Sequence, residues 1–405
     1  MDTSPQVTIL QPSANSREWS IKRDVFPLIN IAELPKRCYV FLDVIDYPPV
    51  DGRRERLLAH FNVPEFVANR TCFELNGYFG NKTSYKDDEE KKYVTSCTTW
   101  FRWLVKMVQK VTYDPHEDGL EYTTGKKDYK WFEMTVFTRW DSPGSCQVLC
   151  VDTPPDFPME LQKLLHKQPK PVNFQDPFGM HTSLVDQMIV YSDISVWRVR
   201  DPVRQLEKSR PRANAVFNMM HEMSRHAIHL SEVLEAASDT LKEMQRCRAA
   251  IHERLREDLG ETYKEQAKDY AQFQLSLLSC LKLRSDSNQE RLHNERNLAF
   301  NNIARQDNTV MKSIALLTMI FLPATFISAL FSTTFFTYGE NGDWEVSGKM
   351  WIYWAITLPA TIVIVVIWRI WIAESDEIMG FLEMCRKWVK VRWKEKARRE
   401  KKTDP

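Results

Sequence analysis

The sequence predicts an α+β water-exposed domain, a set of long helices and two membrane-spanning α-helices near the C-terminus. Three observations carry this. First, the stretches Ser313 to Gly339 and Met350 to Trp368 contain no charged residue, and a helix needs about 20 apolar residues to cross a hydrocarbon core roughly 30 Å thick. Second, no proline falls between Pro211 and Pro323, and Gly260 is the only glycine in that interval, so the chain there reads as long helices reversed near Gly260. Third, β-branched and aromatic runs bounded by Pro, Asp and Gly occupy the N-terminal half, which reads as strands.

Taken in order, residues 1–34 are expected to be a flexible segment and 35–202 an α/β domain. Within the latter, Arg37 to Asp46, Trp131 to Trp140 and Ser145 to Asp152 are expected strands, and Arg53 to Phe61 and Pro158 to His166 short helices. Residues 203–312 are expected to form long stalk helices. In the second of these, Tyr263, Tyr270, Phe273, Leu277 and Cys280 recur at three- and four-residue steps, and the pattern runs without a break into the first span. A helix of about 70 residues would be roughly 100 Å long, either a rod coupling the domain to the membrane or a coiled-coil stalk that only sets distance. The remaining bounds are 313–336 for the first span, 337–349 for the loop, 350–372 for the second span and 373–405 for the tail.

Charge sets the expected orientation. The chain carries 55 Lys+Arg against 54 Asp+Glu, a net +1, so no overall basic field argues for nucleic acid as a partner. Locally, however, the tail from Arg386 to Lys402 is strongly basic, while the loop carries Glu340, Asp343 and Glu345 against Lys349. Basic segments stay on the cytoplasmic, anionic side of a membrane. Both termini are therefore expected in the cytosol and the loop outside, in a plasma or internal membrane. The first thirty residues have no apolar core of a signal peptide. The sequons at Asn69 and Asn81 would then go unused.

The eight cysteines form no CxxC pair and read as small buried hydrophobes in a reducing compartment. Gly119 to Lys126 resembles a phosphate loop but has the wrong spacing, with Lys127 at the Ser/Thr position. His221-Glu222 begins a zincin motif, but Arg225 stands where its second His belongs. Glu222, His226 and His229 share one helical face, either as a metal- or proton-sensing arrangement or as a packing cluster. The run Asp87-Asp-Glu-Glu90 reads as a solvated loop or a magnesium-binding patch at a subunit interface. No nucleophile, base and orienting group occur together, so the chain is not expected to be an enzyme or to hold a resident cofactor.

The first span has a directional chemistry. Asn308, Met311, Ala315, Thr318, Leu322, Thr325, Ala329 and Ser332 follow a strict 3.5-residue repeat and share one face, while Ile314, Ile320, Phe321, Phe326, Ile327 and Leu330 make the other. A stripe of hydroxyls has no use for lipid; it faces protein or water, as a pore lining in an oligomer or as a dry helix-packing seam. Pro323 leaves the Met319 carbonyl without its helical donor.

The segment Asn308-Thr-Val-Met311-Lys-Ser-Ile314, followed by Phe321-Leu-Pro323-Ala-Thr325-Phe326 and on to Phe331, resembles the CorA family of magnesium channels in a divergent fungal form. Asp176-Pro-Phe-Gly-Met-His181, Asp186, Trp197-Arg198-Val-Arg200 and Arg225-His226-Ala-Ile-His229-Leu-Ser-Glu232 are similar to motifs of the fungal group. The resemblance covers about residues 35 to 375. It implies a homopentamer in lipid, a funnel-shaped cytosolic domain, stalk helices continuing into the pore, and Mg2+ or another divalent cation as the transported ion and a gating ligand. The family's Gly-Met-Asn filter stands here as Ser332-Thr333-Thr334, which replaces amides by hydroxyls of shorter reach around an ion that keeps its water. The other expectation for such a chain is a non-conducting membrane scaffold or sensor.

Overall fold

The computed structural model describes residues 6–13, 18–25, 34–43, 53–87, 92–108, 129–209, 213–255, 259–332, 336–338 and 344–367. The chain divides into two units, residues 1–300 and 301–405.

The first unit is built on a seven-stranded sheet: β1 (Gln6–Pro12), β2 (Trp19–Val25), β3 (Arg37–Leu42), β4 (Gly77–Asp87), β5 (Lys92–Val108), β6 (Tyr129–Asp141) and β7 (Ser145–Val151). Their order is β2-β1-β3-β7-β6-β5-β4, and only the β3–β7 pair is parallel. Alternation along a strand sends successive side chains to opposite faces. In β3, Tyr39 and Phe41 join the larger core under α3 (Phe157–Lys167), α4 (Gly179–Ser209) and α5 (Ala213–His252). Cys38, Val40 and Leu42 instead join a smaller core with Leu57 and Leu58 of α1 (Arg53–His60) and with Phe61 and Val67; α2 (Arg70–Glu74) follows that layer. Sheet and helices thus form an α+β unit with helices on both faces.

Two expectations are corrected here. Residues 1–34 are not simply a flexible segment, because β1 and β2 lie within it and Leu10 and Trp19 are buried in the main core. Trp19 is also tied by its backbone, its N–H donating to Nε2 of His166 at 2.8 Å. A four-residue run (Val7 to Leu10) in polar surroundings gives little periodic signal, although β1 pairs with the next strand β2 and with β3. The boundary at 202/203 also fails, since α4 passes through Pro202. Buried Val196, Val199, Val203 and Leu206 continue at steps of three and four across it, so packing there outweighs one lost backbone hydrogen bond.

α6 (Glu261–Phe331) follows Gly260, whose φ of 77° is the left-handed conformation that glycine adopts without Cβ strain. The helix lies where the sequence places it, and it docks by a face other than the one that carries Tyr270, Phe273 and Leu277. Ala271, Gln274, Leu278, Leu281, Ser285, Asn288 and Leu292 are buried, whereas Tyr270, Phe273 and Leu277 are exposed. Ion pairs flank the seam: Arg291 with Glu207 of α4, and Lys282 with Glu235 of α5 at 2.8 Å. Asn288 is 1 % exposed, and neither of its carboxamide atoms has a hydrogen-bond partner among the described residues. An unsatisfied buried polar group costs about 1–3 kcal/mol. Asn288→Leu is therefore expected to raise the thermal midpoint by a few degrees and to slow hydrogen exchange across residues 281–292. A lower midpoint would mean that the carboxamide is satisfied.

Cys38, Cys97, Cys146 and Cys150 are buried, and burial pushes each thiol up, to about 12 for Cys38 and Cys97. They pack as hydrophobes, while Cys280 is exposed.

Candidate functional site

The second unit contains the end of α6 and α7 (Met350–Ile367), both parts of helices long and apolar enough to cross a membrane. Between them, β8 (Phe336–Tyr338) and β9 (Trp344–Val346) pair antiparallel, with Thr337 opposite Glu345. The first apolar helix therefore ends at Phe331 rather than at 336. The aromatic and β-branched run Phe336-Thr-Tyr338 favours an extended strand. Thr333, Thr334, Glu340, Asp343, the Gly119–Lys126 segment, Asp88 to Glu90 and the basic tail lie outside the described residues. Ser328 Oγ and the Tyr353 hydroxyl are 2.9 Å apart and tie α6 to α7.

Asn308, Met311, Ala315, Thr318, Leu322, Thr325, Ala329 and Ser332 are all exposed in the single chain. So are Ile314, Phe321 and Phe326 on the other face; chemistry, not burial, separates the two. The Thr318 hydroxyl donates to the Ile314 carbonyl at 2.8 Å, and the Thr325 hydroxyl to the carbonyls of Phe321 and Leu322, both at 2.9 Å. Each threonine thus spends its proton on its own helix. What it presents outward is lone pairs, which can accept hydrogen bonds from the water held around a cation. Beside Pro323, a cavity of about 700 Å3 opens between the two helices, lined by Leu322, Pro323, Thr325, Phe326, Ile327, Ala360 and Ile364.

In the first unit the motif residues hold helices together. The Asp176 carboxylate is fully buried and meets Arg248, Nε2 of His252 at 3.0 Å, the Tyr263 hydroxyl at 3.0 Å and the Phe178 N–H at 2.9 Å. It joins the start of α4 to the end of α5 and the start of α6. Burial alone would raise its pKa, but the Arg248 charge, the His252 hydrogen bond and the Phe178 N–H outweigh it and hold the carboxyl well below the usual range. His181, set between the hydroxyls of Thr99 (3.0 Å) and Thr138 (3.3 Å), is pushed down to about 4 by burial. Asp186 accepts from Tyr270 and Gln274 of α6 at 3.0 and 2.7 Å. Arg200 and Arg284 both pack on the Trp197 ring, at 4.7 and 4.6 Å from its centroid, and Arg198 donates to the Val108 carbonyl at 2.9 Å.

Glu222, His226 and His229 do not converge on a metal position. Glu222 pairs with Arg225, and the His226 ring meets Tyr129 edge-on at 5.4 Å. Nδ1 of His229 lies 2.8 Å from the Lys106 ammonium; burial, then Lys106, lowers its pKa. An ammonium sits where a metal ligand would need a metal, and no group of three or more metal-capable side chains occurs among the described residues.

With that geometry in place, comparison with known proteins is direct. The family model described as "CorA-like Mg2+ transporter protein" matches residues 156–374, more than half of the 405-residue chain. The chain belongs to the CorA-like Mg2+ transporter family. Among curated proteins, this CorA-like chain is 29 % identical over 268 residues to the "Notoamide biosynthesis cluster protein M'" of Aspergillus versicolor; the match spans 58 % of each. The CorA-like fold is shared with the full-length CmaX protein (TM-score 0.54, 15 % identity, 91 % of this chain and 98 % of that one). It is shared as well with the CorA magnesium transporter of Methanocaldococcus jannaschii (TM-score 0.53, 13 % identity, 91 % and 98 %).

Proposed function

We propose that the chain assembles as a homopentameric CorA-like channel for Mg2+ or another divalent cation. The end of α6, from Ser313 on, and α7 lie in lipid, both termini are cytosolic, and residues 337–349 are on the far side. The stripe from Asn308 to Ser332 lines the pore, and the first unit gates it. The observation that carries this reading is the state of the Thr318 and Thr325 hydroxyls: with their protons given to the helix, they leave a column of acceptors on a helix long enough to span a bilayer. Lipid gains nothing from such a column, whereas a hydrated cation does. Uptake of Mg2+ into proteoliposomes carrying the purified chain tests it directly.

A second reading, a non-conducting membrane scaffold or sensor, is favoured by one observation, the Ser332-Thr333-Thr334 triplet. Restoring Gly-Met-Asn through Ser332→Gly, Thr333→Met and Thr334→Asn is expected to raise Mg2+ uptake or affinity, because amide oxygens reach further toward the axis than hydroxyls. If neither the natural nor the restored chain passes a divalent ion, the scaffold reading replaces the channel.

Orientation has its own test. A Gly342→Cys substitution is expected to react with an impermeant thiol reagent added outside, and external protease should spare residues 1–300. Glycosylation at Asn69 or Asn81 would reverse the topology.

A further inference from the structure

We propose that recognition of the hydrated ion rests on carboxamides at the start of the pore stripe, with Asn301 as a specificity-determining residue beside Asn308, rather than on the three residues after Phe331. This rests on the channel reading above. The repeat that relates Asn308, Ala315, Leu322 and Ala329 by sevens reaches Asn301 one heptad earlier, and the companion series of Met311, Thr318, Thr325 and Ser332 reaches Ala304. Both residues are helical and exposed. In the sequence alone, the same two series continue back to Asn294 and Asn297.

Two features separate this stretch from an ordinary wet helix surface. The charged residues Arg305, Asp307 and Lys312 all fall outside the two series, so the stripe from 301 to 311 is Asn, Ala, Asn, Met, polar but uncharged. A solvated face would carry charges without preference. In addition, neither the Asn301 nor the Asn308 side chain makes a hydrogen bond among the described residues, whereas the hydroxyls of this helix, on the stripe at Thr318 and Thr325 and off it at Thr309 and Ser313, bond to their own backbone. The carboxamide oxygens remain available, reach further than a threonine hydroxyl, and accept from the first water shell of a cation that sheds water reluctantly. Rings one heptad apart lie about 10 Å apart along a helix. That arrangement offers successive weak sites of the kind that lets an ion enter and leave.

The test uses the full chain in proteoliposomes with a Mg2+-sensitive dye inside. Asn301→Leu, similar in size but without acceptors, is expected to lower the initial rate about tenfold, the scale of losing hydrogen bonds to a charged, hydrated ion. Asn301→Asp, which keeps the acceptors, should retain uptake. Asn301→Cys should be modified by a cationic methanethiosulfonate more slowly when Mg2+ is present, and modification should block uptake. This last measurement is made on assembled protein, so it decides the matter even if the Leu variant fails to assemble. Natural chain that conducts while Asn301→Leu stays within about twofold of it and the modified Cys variant still conducts overturns this inference and leaves the channel standing. No uptake by the natural chain removes the channel reading, and this one with it.

Discussion

Replacing Asp176 with alanine is expected to destabilise the first unit more than any other single change considered for it. The substitution leaves the Arg248 guanidinium, 11 % exposed, with its charge uncompensated, and removes acceptors from His252, Tyr263 and the Phe178 N–H. Breaking a buried pair in this way costs about 3–5 kcal/mol. For a unit of this size that is a fall in Tm of roughly 5–8 °C. Pairing it with Arg248→Met should cost less than the single change, because no orphaned charge remains; a double variant no better than Asp176→Ala would count against the charge-pair account.

Acid should unfold the same region in two stages, both of the same sign. His181 is neutral in the fold, with its pKa near 4, against an unfolded value of about 6.5, so stability falls as pH drops through that interval. Asp176 has a depressed folded pKa. Its contribution is fully present above the ordinary carboxylate value of about 3.9 and is lost as pH falls further. Denaturant midpoints at pH 7.5, 5.5 and 4.5 check the first stage, and a flat profile would contradict it.

Thr325→Leu is expected to reduce Mg2+ uptake to background while the oligomer still assembles. Leu322 already places one isobutyl group on the stripe, and a second three residues on lies about 4.5 Å away along the helix, so two adjacent bulky rings would close a narrow, wet passage. Thr325→Val separates the causes, since it keeps the shape but not the hydroxyl; Thr325→Ser keeps the hydroxyl and should conduct. Native mass measurement of the solubilised Leu variant should still give a pentamer. Unaltered uptake by that variant, or a stable monomer or dimer of the natural chain, would remove the stripe from the pore.

Elements with a sustained, locally encoded signal were legible in the sequence. Both apolar helices, the reversal at Gly260, the strands β3, β6 and β7 and the helices α1 and α3 all sit where periodicity and punctuation place them. β5 was not legible, because Arg102 and Lys106, each 2 % exposed, interrupt its pattern. Their partners are remote: the carbonyls of Phe73 and Leu75 and the Glu133 carboxylate for Arg102, and His229 with the rings of Tyr129 and Trp131 for Lys106. The docked face of α6 has no clear sequence signal for a related reason, since Tyr270 and Phe273 look like core residues beside Ala271 and Gln274, yet the closely packed seam takes the smaller pair. In the candidate site, the 3.5 repeat shows which residues share a face. The direction in which Thr318 and Thr325 give their protons is set by helix geometry and has no sequence signature.

The position of the α6 seam also orders events during synthesis. Leu292 is the last fully buried residue of the first unit's core, and the first uncharged segment begins only twenty or so residues later, at Ser313. Domains fold from the N-terminus as the chain emerges, so the sheet and α3 to α5 can be complete while α6 is still being made. The strip that closes the soluble core and the segment that must leave water then emerge almost together. A defect that delays the docking of α6 would expose the open seam and the apolar span at the same moment, beside a ribosome making more of both.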